Sequence, residues 1–214
     1  MTPNQELEVR LLHRLLLKFF YDMILGSHNS WSYLKAKKWW LRPFAFMAKC
    51  QNIDIFTQFH AYKVRCFDLR VRFSKLGELK IAHGFMDYDI KQEELFAQLK
   101  QLNAYSDVVI RVLHEARTSK QYTANSVQSF RNFCEYIKKE YPKIKFWCGR
   151  NLYNWEYDYK FDNDFSCEEN YSSVKSPRLI DDWFPWIYAK LNNRKILKKG
   201  TDKDILLIDF VNIR

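Results

Sequence analysis

Glycine is scarce in this chain, with five among 214 residues, so there are few places where the backbone can turn freely or approach a ligand closely. Where those glycines stand therefore carries weight. The cysteines are also few and unpatterned. Cys50, Cys66, Cys134, Cys148 and Cys167 are odd in number and contain no C-x-x-C pair. That argues against a disulfide framework and a zinc knuckle, and leaves reduced, mostly buried thiols. No long apolar run is present. The stretch from Leu11 to Leu25 is broken by His13, Arg14, Lys18 and Asp22, which excludes a transmembrane span and suits a signal peptide poorly. As written, the expected localisation is cytoplasmic, with membrane association open, and secretion if a leader precedes the sequence. Internal repeats, low-complexity tracts and linkers are missing too, so residues 1–214 are expected to form one domain around one core.

What is abundant is positive charge. Thirty-five Lys and Arg stand against 25 Asp and Glu, a formal charge of +10, which favours anionic partners: nucleic acid, phosphorylated substrates or an acidic lipid surface. The basic residues are interleaved with acids along most of the chain, and neither a basic arm nor an aromatic ribonucleoprotein motif occurs. Nucleic acid is disfavoured on that pattern. Aromatic residues reach 17%, above the globular norm, and disorder is excluded.

Hydrophobic spacing predicts a helix over 5–20, a buried strand at Met23, Ile24 and Leu25 closed by Gly26, and a helical segment over 53–62. Residues 64–73 alternate as a strand, with Cys66, Asp68, Arg70 and Arg72 on one face and Phe67, Leu69 and Val71 on the other. Charged side chains sharing a strand face need partners or solvent, and a polar barrel interior supplies both. Further strands are expected over 78–82, 108–113, 144–148 and 205–210, and helices over 92–102, 127–140 and 182–191. Strands alternating with helices argue for α/β and parallel pairing. Between Gly149 and Pro177 the periodicity fails, giving a long loop or irregular hairpin.

Three segments stand out: Gly26-Ser27-His28-Asn29-Ser30, Arg65-Cys66-Phe67-Asp68-Leu69-Arg70 and Ala82-His83-Gly84. Each sets a polar residue at or near a strand end, and two of the five glycines flank the histidines. A lone histidine after a strand is more often structural than catalytic. The order and spacing of the three segments are more specific. Together they resemble the catalytic X region of phosphatidylinositol-specific phospholipases C. The resemblance spans most of the chain when Ile205-Leu206-Leu207-Ile208-Asp209-Phe210 is taken as the last barrel strand. It implies an irregular, TIM-like β/α barrel that cleaves a phosphoinositol or related polyol phosphodiester.

On that resemblance His28 is the general base, His83 the general acid, and Asp209 the partner that orients His28. Opening such a diester by attack of a neighbouring hydroxyl needs a base for that hydroxyl and an acid for the leaving oxygen, and two histidines can supply both near neutral pH. Arg70 suits the phosphoryl oxygens. Calcium-dependent members carry an acidic residue at its position, so the arginine is similar to the bacterial, metal-independent branch; no metal and no cofactor are expected. Asp68 either braces Arg70 or the substrate hydroxyls, or is a plain ion-pair partner. Asn29 departs from bacterial members, which usually hold Asp there beside the second histidine. Either activity is reduced, or an acid such as Asp87 or Glu115 supplies the charge. His114 or Glu115, with the register ambiguous by one, and Arg150 are expected to contact substrate. Lys37, Lys38, Trp39 and Trp40 suit an anionic membrane interface, against the bland reading of one core tryptophan and solvated lysines. The competing function is a barrel that binds anionic phosphodiesters or phosphoinositides with impaired catalysis.

Overall fold

The computed structural model describes residues 23–161, 171–173, 184–199 and 205–213. The helix expected over 5–20 with His13, and Cys167, lie outside the described residues. Among the described residues eight strands are formed: β1 (Ile24–Ser27), β2 (Cys66–Phe73), β3 (Leu79–His83), β4 (Met86–Asp87), β5 (Val109–His114), β6 (Lys145–Cys148), β7 (Tyr171–Ser173) and β8 (Ile205–Ile208). The helices are α1 (Ile55–Tyr62), α2 (Gln92–Leu102), α3 (Ala124–Glu140) and α4 (Pro185–Lys199), with 3₁₀ segments at Ser30–Tyr33 and Trp39–Met47.

Six strands make a parallel arc in the order β6, β5, β2, β1, β8, β7. Among the described residues no pairing joins β6 to β7, so the α/β barrel is irregular and unclosed. Parallel pairing was expected, and β3 departs from it. It runs antiparallel to β2, pairing Val71 with Ile81 and Phe73 with Leu79, and continues into β4 as a hairpin. The connection from β2 to β3 is only five residues long, too short for the helical crossover that a parallel neighbour requires. β7 was not anticipated, because three residues carry too little alternation to register as a strand.

Local chemistry fixes the helices. Thr123 caps α3 in a capping box with Ser126, and Phe130, Phe133, Cys134 and Ile137 form its buried stripe. The Asp54 carboxylate accepts from the first backbone N–H groups of α1. α4 runs past the expected end at Leu191, and there the Asn193 amide donates to the carbonyls of Asp209 and Ile213, tying the helix to the end of β8.

The two faces of β2 behave as their alternation predicts. Phe67, Leu69 and Val71 enter the large outer core. Cys66 joins Val109, Trp147, Ile205 and Leu207 in a smaller cluster inside the arc. Gly26 is required here, because a Cβ would overlap the Leu207 side chain and press on Cys66. That apolar plug fills the amino-terminal end of the interior. Toward the carboxy-terminal ends, the same inward positions become Asp68, Arg70 and Arg111, the end of a β/α barrel where loops assemble sites.

Candidate active site

His28 leaves β1 with its N–H bonded to the Ile208 carbonyl. Asn29 then takes a left-handed conformation (φ 44°), tolerated by Asn better than by most residues, and turns the chain into the first 3₁₀ segment. Two hydrogen bonds clamp this turn to β2: Asn29 N–H donates to Asp68 Oδ2 at 3.0 Å, and Asp68 N–H donates to Ser30 Oγ at 2.8 Å. Gln51, fully buried, donates its amide to the carbonyls of His28 and Ile208 and accepts from Val211 N–H. The ends of β1 and β8 are thereby held together, and with them His28 and Asp209.

His28 Nδ1 lies 2.7 Å from Asp209 Oδ1. A carboxylate accepts, so the ring donates from Nδ1. Its Nε2 lies 2.5 Å from Arg70 Nη2, an obligate donor, and so presents its lone pair. Arg70 is further bound to Asp68 Oδ2 (2.8 Å) and faces Glu115 Oε2 (3.5 Å). Arg111 reaches Asp68 Oδ1 at 3.2 Å. Gly149 makes room for that arginine, since a Cβ would stand 2.6 Å from its Nη2. Burial pushes the Asp68 carboxyl up, but Arg70, Arg111 and His28 outweigh it and hold the group well below the usual carboxylate range. Glu115 follows the same pattern: burial is opposed chiefly by Arg70, and the carboxyl falls to about 2.

The second histidine is carried by the β3–β4 hairpin. Gly84 takes φ +61°, and its N–H donates to Glu115 Oε1 at 2.8 Å. Arg72 donates to the Gly84 and Glu115 carbonyls and pairs with Asp87. The His83 and His28 rings meet edge to face, with centroids 5.8 Å apart. His83 Nδ1 lies 2.8 Å from the Ala48 carbonyl, so this ring also donates from Nδ1 and presents Nε2. Burial, then the Arg70 charge, lowers its pKa to about 4.

The residues expected at the site divide as follows. His28, His83, Arg70, Asp68 and Asp209 converge, with Glu115 beside them. His114 does not join them and is corrected here. Backbone alternation turns it to the outer face of β5, where its Nδ1 lies 2.7 Å from Asp158 Oδ2 and its ring stacks on Phe130. The one-residue ambiguity thus resolves to Glu115. Arg150 is exposed, with its guanidinium over the Tyr157 ring. Asn29 contributes its backbone to the site, and its buried amide has no hydrogen-bond partner. Neither Asp87 nor Glu115 hydrogen-bonds His83: Asp87 is held by Arg72, and Glu115 by Gly84, Arg117 and Arg70. A neutral carbonyl occupies that role. Sequence reasoning missed Arg111, Gln51 and Cys50. An arginine within the apolar run 108–113 was a usable signal for the first; nothing local marks the other two.

No protein-family model matches the chain, and neither does any curated protein sequence. Solved structures do match. The phosphatidylinositol-specific phospholipase C of Listeria monocytogenes is 13% identical with a TM-score of 0.54, over 87% of each chain. A single-residue variant of the Staphylococcus aureus enzyme of the same name is 15% identical with a TM-score of 0.58, over 87% of this chain and 84% of that one. Another structure of the S. aureus enzyme, from work on modulation of its membrane binding, is 18% identical with a TM-score of 0.52, over 88% of this chain and 71% of that one. The chain has the fold of these bacterial phospholipases.

Proposed function

We propose that this protein is a phosphodiesterase of the phosphatidylinositol phospholipase C kind, opening a phosphoinositol-type diester by internal attack. The observation that carries this reading is the pair of imidazoles 5.8 Å apart, each offering Nε2, with the Arg70 guanidinium against one of them. The fold shared with the bacterial phospholipases supports it, and the whole chain, 1–214, is taken as one such barrel.

In the mechanism, His28 Nε2 removes the proton from a hydroxyl adjacent to the esterified carbon, and that oxygen attacks phosphorus. Asp209 stabilises the imidazolium that forms. Arg70 shifts its donors from His28 to the phosphoryl oxygens as negative charge grows there. His83, protonated on Nε2, delivers its proton to the leaving oxygen as the P–O bond breaks. The product is a cyclic phosphodiester, which water opens with the two histidines in exchanged roles. Arg70 supplies the fixed positive charge, so the reaction is proposed to proceed without a metal ion.

A membrane surface is proposed as the place of encounter. Trp39 and Trp40 are 71% and 53% exposed, Phe44 and Phe46 are exposed beside them, and Lys37 and Lys38 precede them in sequence. Interfacial tryptophans with neighbouring lysines fit an anionic headgroup layer.

The second reading, an anion-binding barrel with impaired catalysis, is favoured by one observation: His83 is pushed toward neutrality and has a carbonyl instead of a carboxylate on Nδ1. Turnover of a chromogenic myo-inositol phosphodiester separates the two. The enzymatic reading expects turnover that His28→Ala and His83→Ala each reduce by several orders of magnitude. Binding of inositol phosphate without turnover would establish the second reading instead.

A further inference from the structure

Cys50 is a buried thiol at the centre of the cluster that the proposed reaction leaves unused. It is rigidly set: its N–H is held by Ser32 Oγ at 2.9 Å, and its carbonyl accepts from Phe210 N–H, one residue beyond Asp209. The thiol lies 3.8 Å from the Ala48 carbonyl and 4.0 Å from His83 Nδ1, with the Asp209 and Asn29 side chains beside it. One ligand atom each from His28, Cys50 and Asp209 all lie within 4.8 Å of one another. The His28 and Asp209 side chains are 18% and 13% exposed, so an ion reaches the buried Cys50 thiol past these two.

We propose that His28, Cys50 and Asp209 form an inhibitory site for a borderline or soft divalent cation of the zinc and cadmium class. The inference rests on the proposed reaction only for its inhibitory effect, not for the binding itself. Imidazole, thiolate and carboxylate together are the donor set of zinc, whereas calcium and magnesium seek oxygen alone. Three protein ligands with water as the fourth complete a tetrahedron once Cys50 Sγ closes in and the hydrogen-bonded Nδ1 and Oδ1, now 2.7 Å apart, spread by about half an ångström to admit the ion. On binding, the thiol proton leaves to solvent. The ring proton of His28 moves from Nδ1 to Nε2, and the metal gains bonds to sulfur, nitrogen and oxygen with no change of oxidation state.

Inhibition follows from that proton movement. With Nδ1 on the metal and Nε2 protonated, His28 has no lone pair for a substrate hydroxyl. The protonated Nε2 also faces Arg70, and both are donors, so the guanidinium must retreat; Asp68 Oδ2, 3.9 Å from Nε2, is the nearest acceptor for the ring. This opposition makes the site weaker than a four-ligand structural one, suited to a reversible inhibitor and not a resident cofactor.

Cadmium is the probe, because its thiolate complex has an ultraviolet charge-transfer absorption that needs no catalysis to detect. Titration of the full chain is expected to give that absorption at one equivalent, with loss of the band in Cys50→Ser. Asp209→Asn should weaken cadmium binding by about tenfold, the loss of one ligand. Zinc should inhibit turnover reversibly by EDTA, and Cys50→Ser, compared with its own metal-free rate, should need at least tenfold more zinc. A wild-type band that survives Cys50→Ser, or no band at all, overturns the site; His28→Gln and Asp209→Asn decide it should Cys50→Ser not fold. A Cys50-dependent band in a protein with no turnover supports the site while refuting the reaction. Turnover indifferent to bound cadmium refutes the inhibitory role.

Discussion

Replacing Asn29 with Asp tests the acid half of the mechanism most sharply. His83 is lowered to about 4 by burial and by Arg70, so at pH 7 about one molecule in a thousand carries its proton, against about one in four for an ordinary histidine. The Asn29 side chain borders the Cys50 thiol and the Tyr88 hydroxyl, both of which burial pushes up. Tyr88 and His83 meet on the same Ala48 carbonyl, so a carboxylate at position 29 would adjoin the second imidazole. An opposite charge at that range shifts a pKa by roughly 1–3 units. The new carboxylate is buried and abuts Asp68, which already accepts from the backbone of residue 29, so the lower end of that range is expected. Well above the His83 value, the fraction of His83 that carries its proton gains in direct proportion to the shift. Asn29→Asp should therefore raise kcat/KM at pH 7 about tenfold. The assay compares an inositol phosphodiester with an alkyl leaving group against one with an aryl group across pH 4 to 8. An alkoxide needs the proton, whereas an aryl oxide departs with little help, so the gain should be confined to the alkyl substrate. The apparent values belong to the coupled pair, so His28→Ala and His83→Ala accompany the series. Equal gains on both substrates, or no gain on either while His83→Ala still abolishes turnover, would refute the acid assignment.

The same shift bears on stability. His83 has a folded pKa below its unfolded value of 6.5, so its contribution is present above pH 6.5 and lost as the pH falls toward 4. Urea titrations at pH 7 and 4.5 should show wild type losing up to ~3 kcal/mol more than His83→Gln, and identical losses would refute the shift. Arg70→Ala leaves Asp68 and Glu115 buried against a missing partner and should cost ~3–5 kcal/mol; Arg70→Lys should fold while losing most of kcat, and a fully active Arg70→Lys would remove the guanidinium from the mechanism. Turnover should survive excess EDTA, and strict calcium dependence would show that Arg70 does not supply the positive charge. Gly149→Ala should cost about 1–3 kcal/mol by displacing Arg111, and a neutral result in urea would show that the guanidinium relocates freely. Trp39→Ala with Trp40→Ala should weaken binding to phosphatidylserine-containing vesicles about tenfold without altering turnover of a soluble diester; unchanged vesicle binding would refute the membrane surface.

Periodicity was enough for the elements that are long and one-sided. The helix over 92–102 emerged nearly to the residue because it buries one regular stripe, and the strand 66–73 did so because its wholly buried residues alternate between an apolar and a polar face. Elements defined by partners were not legible. β7 exists through its pairing with β8, and the antiparallel course of β3 shows only in the shortness of the turn before it. At the site, strand-end glycines and the order of three motifs were enough to bring His28, Arg70 and His83 together. Cys50 and Gln51 come from a loop, and their placement depends on hydrogen bonds to a strand some 160 positions further on, which no local pattern encodes. The choice between His114 and Glu115 turned on strand phase at a strand end, where one residue of slip exchanges inside for outside.

The two imidazoles belong to different mechanical parts. His28 is fastened to the parallel arc through Gln51 and Asp209, whereas His83 rides on a hairpin that joins the arc at Val71–Phe73. The spacing between base and acid is therefore a joint between two parts, held on the hairpin side by the Ala48 carbonyl on His83 and by Glu115 and Arg72 on Gly84. Residues 74–78 close the turn between β2 and β3, with Leu76 almost wholly exposed and Ser74 bonded to Gly77 and Glu78. Altering this turn would move His83 only by first breaking the contacts of Ala48, Glu115 and Arg72, so those contacts, and not the turn, fix the gap open to a leaving group.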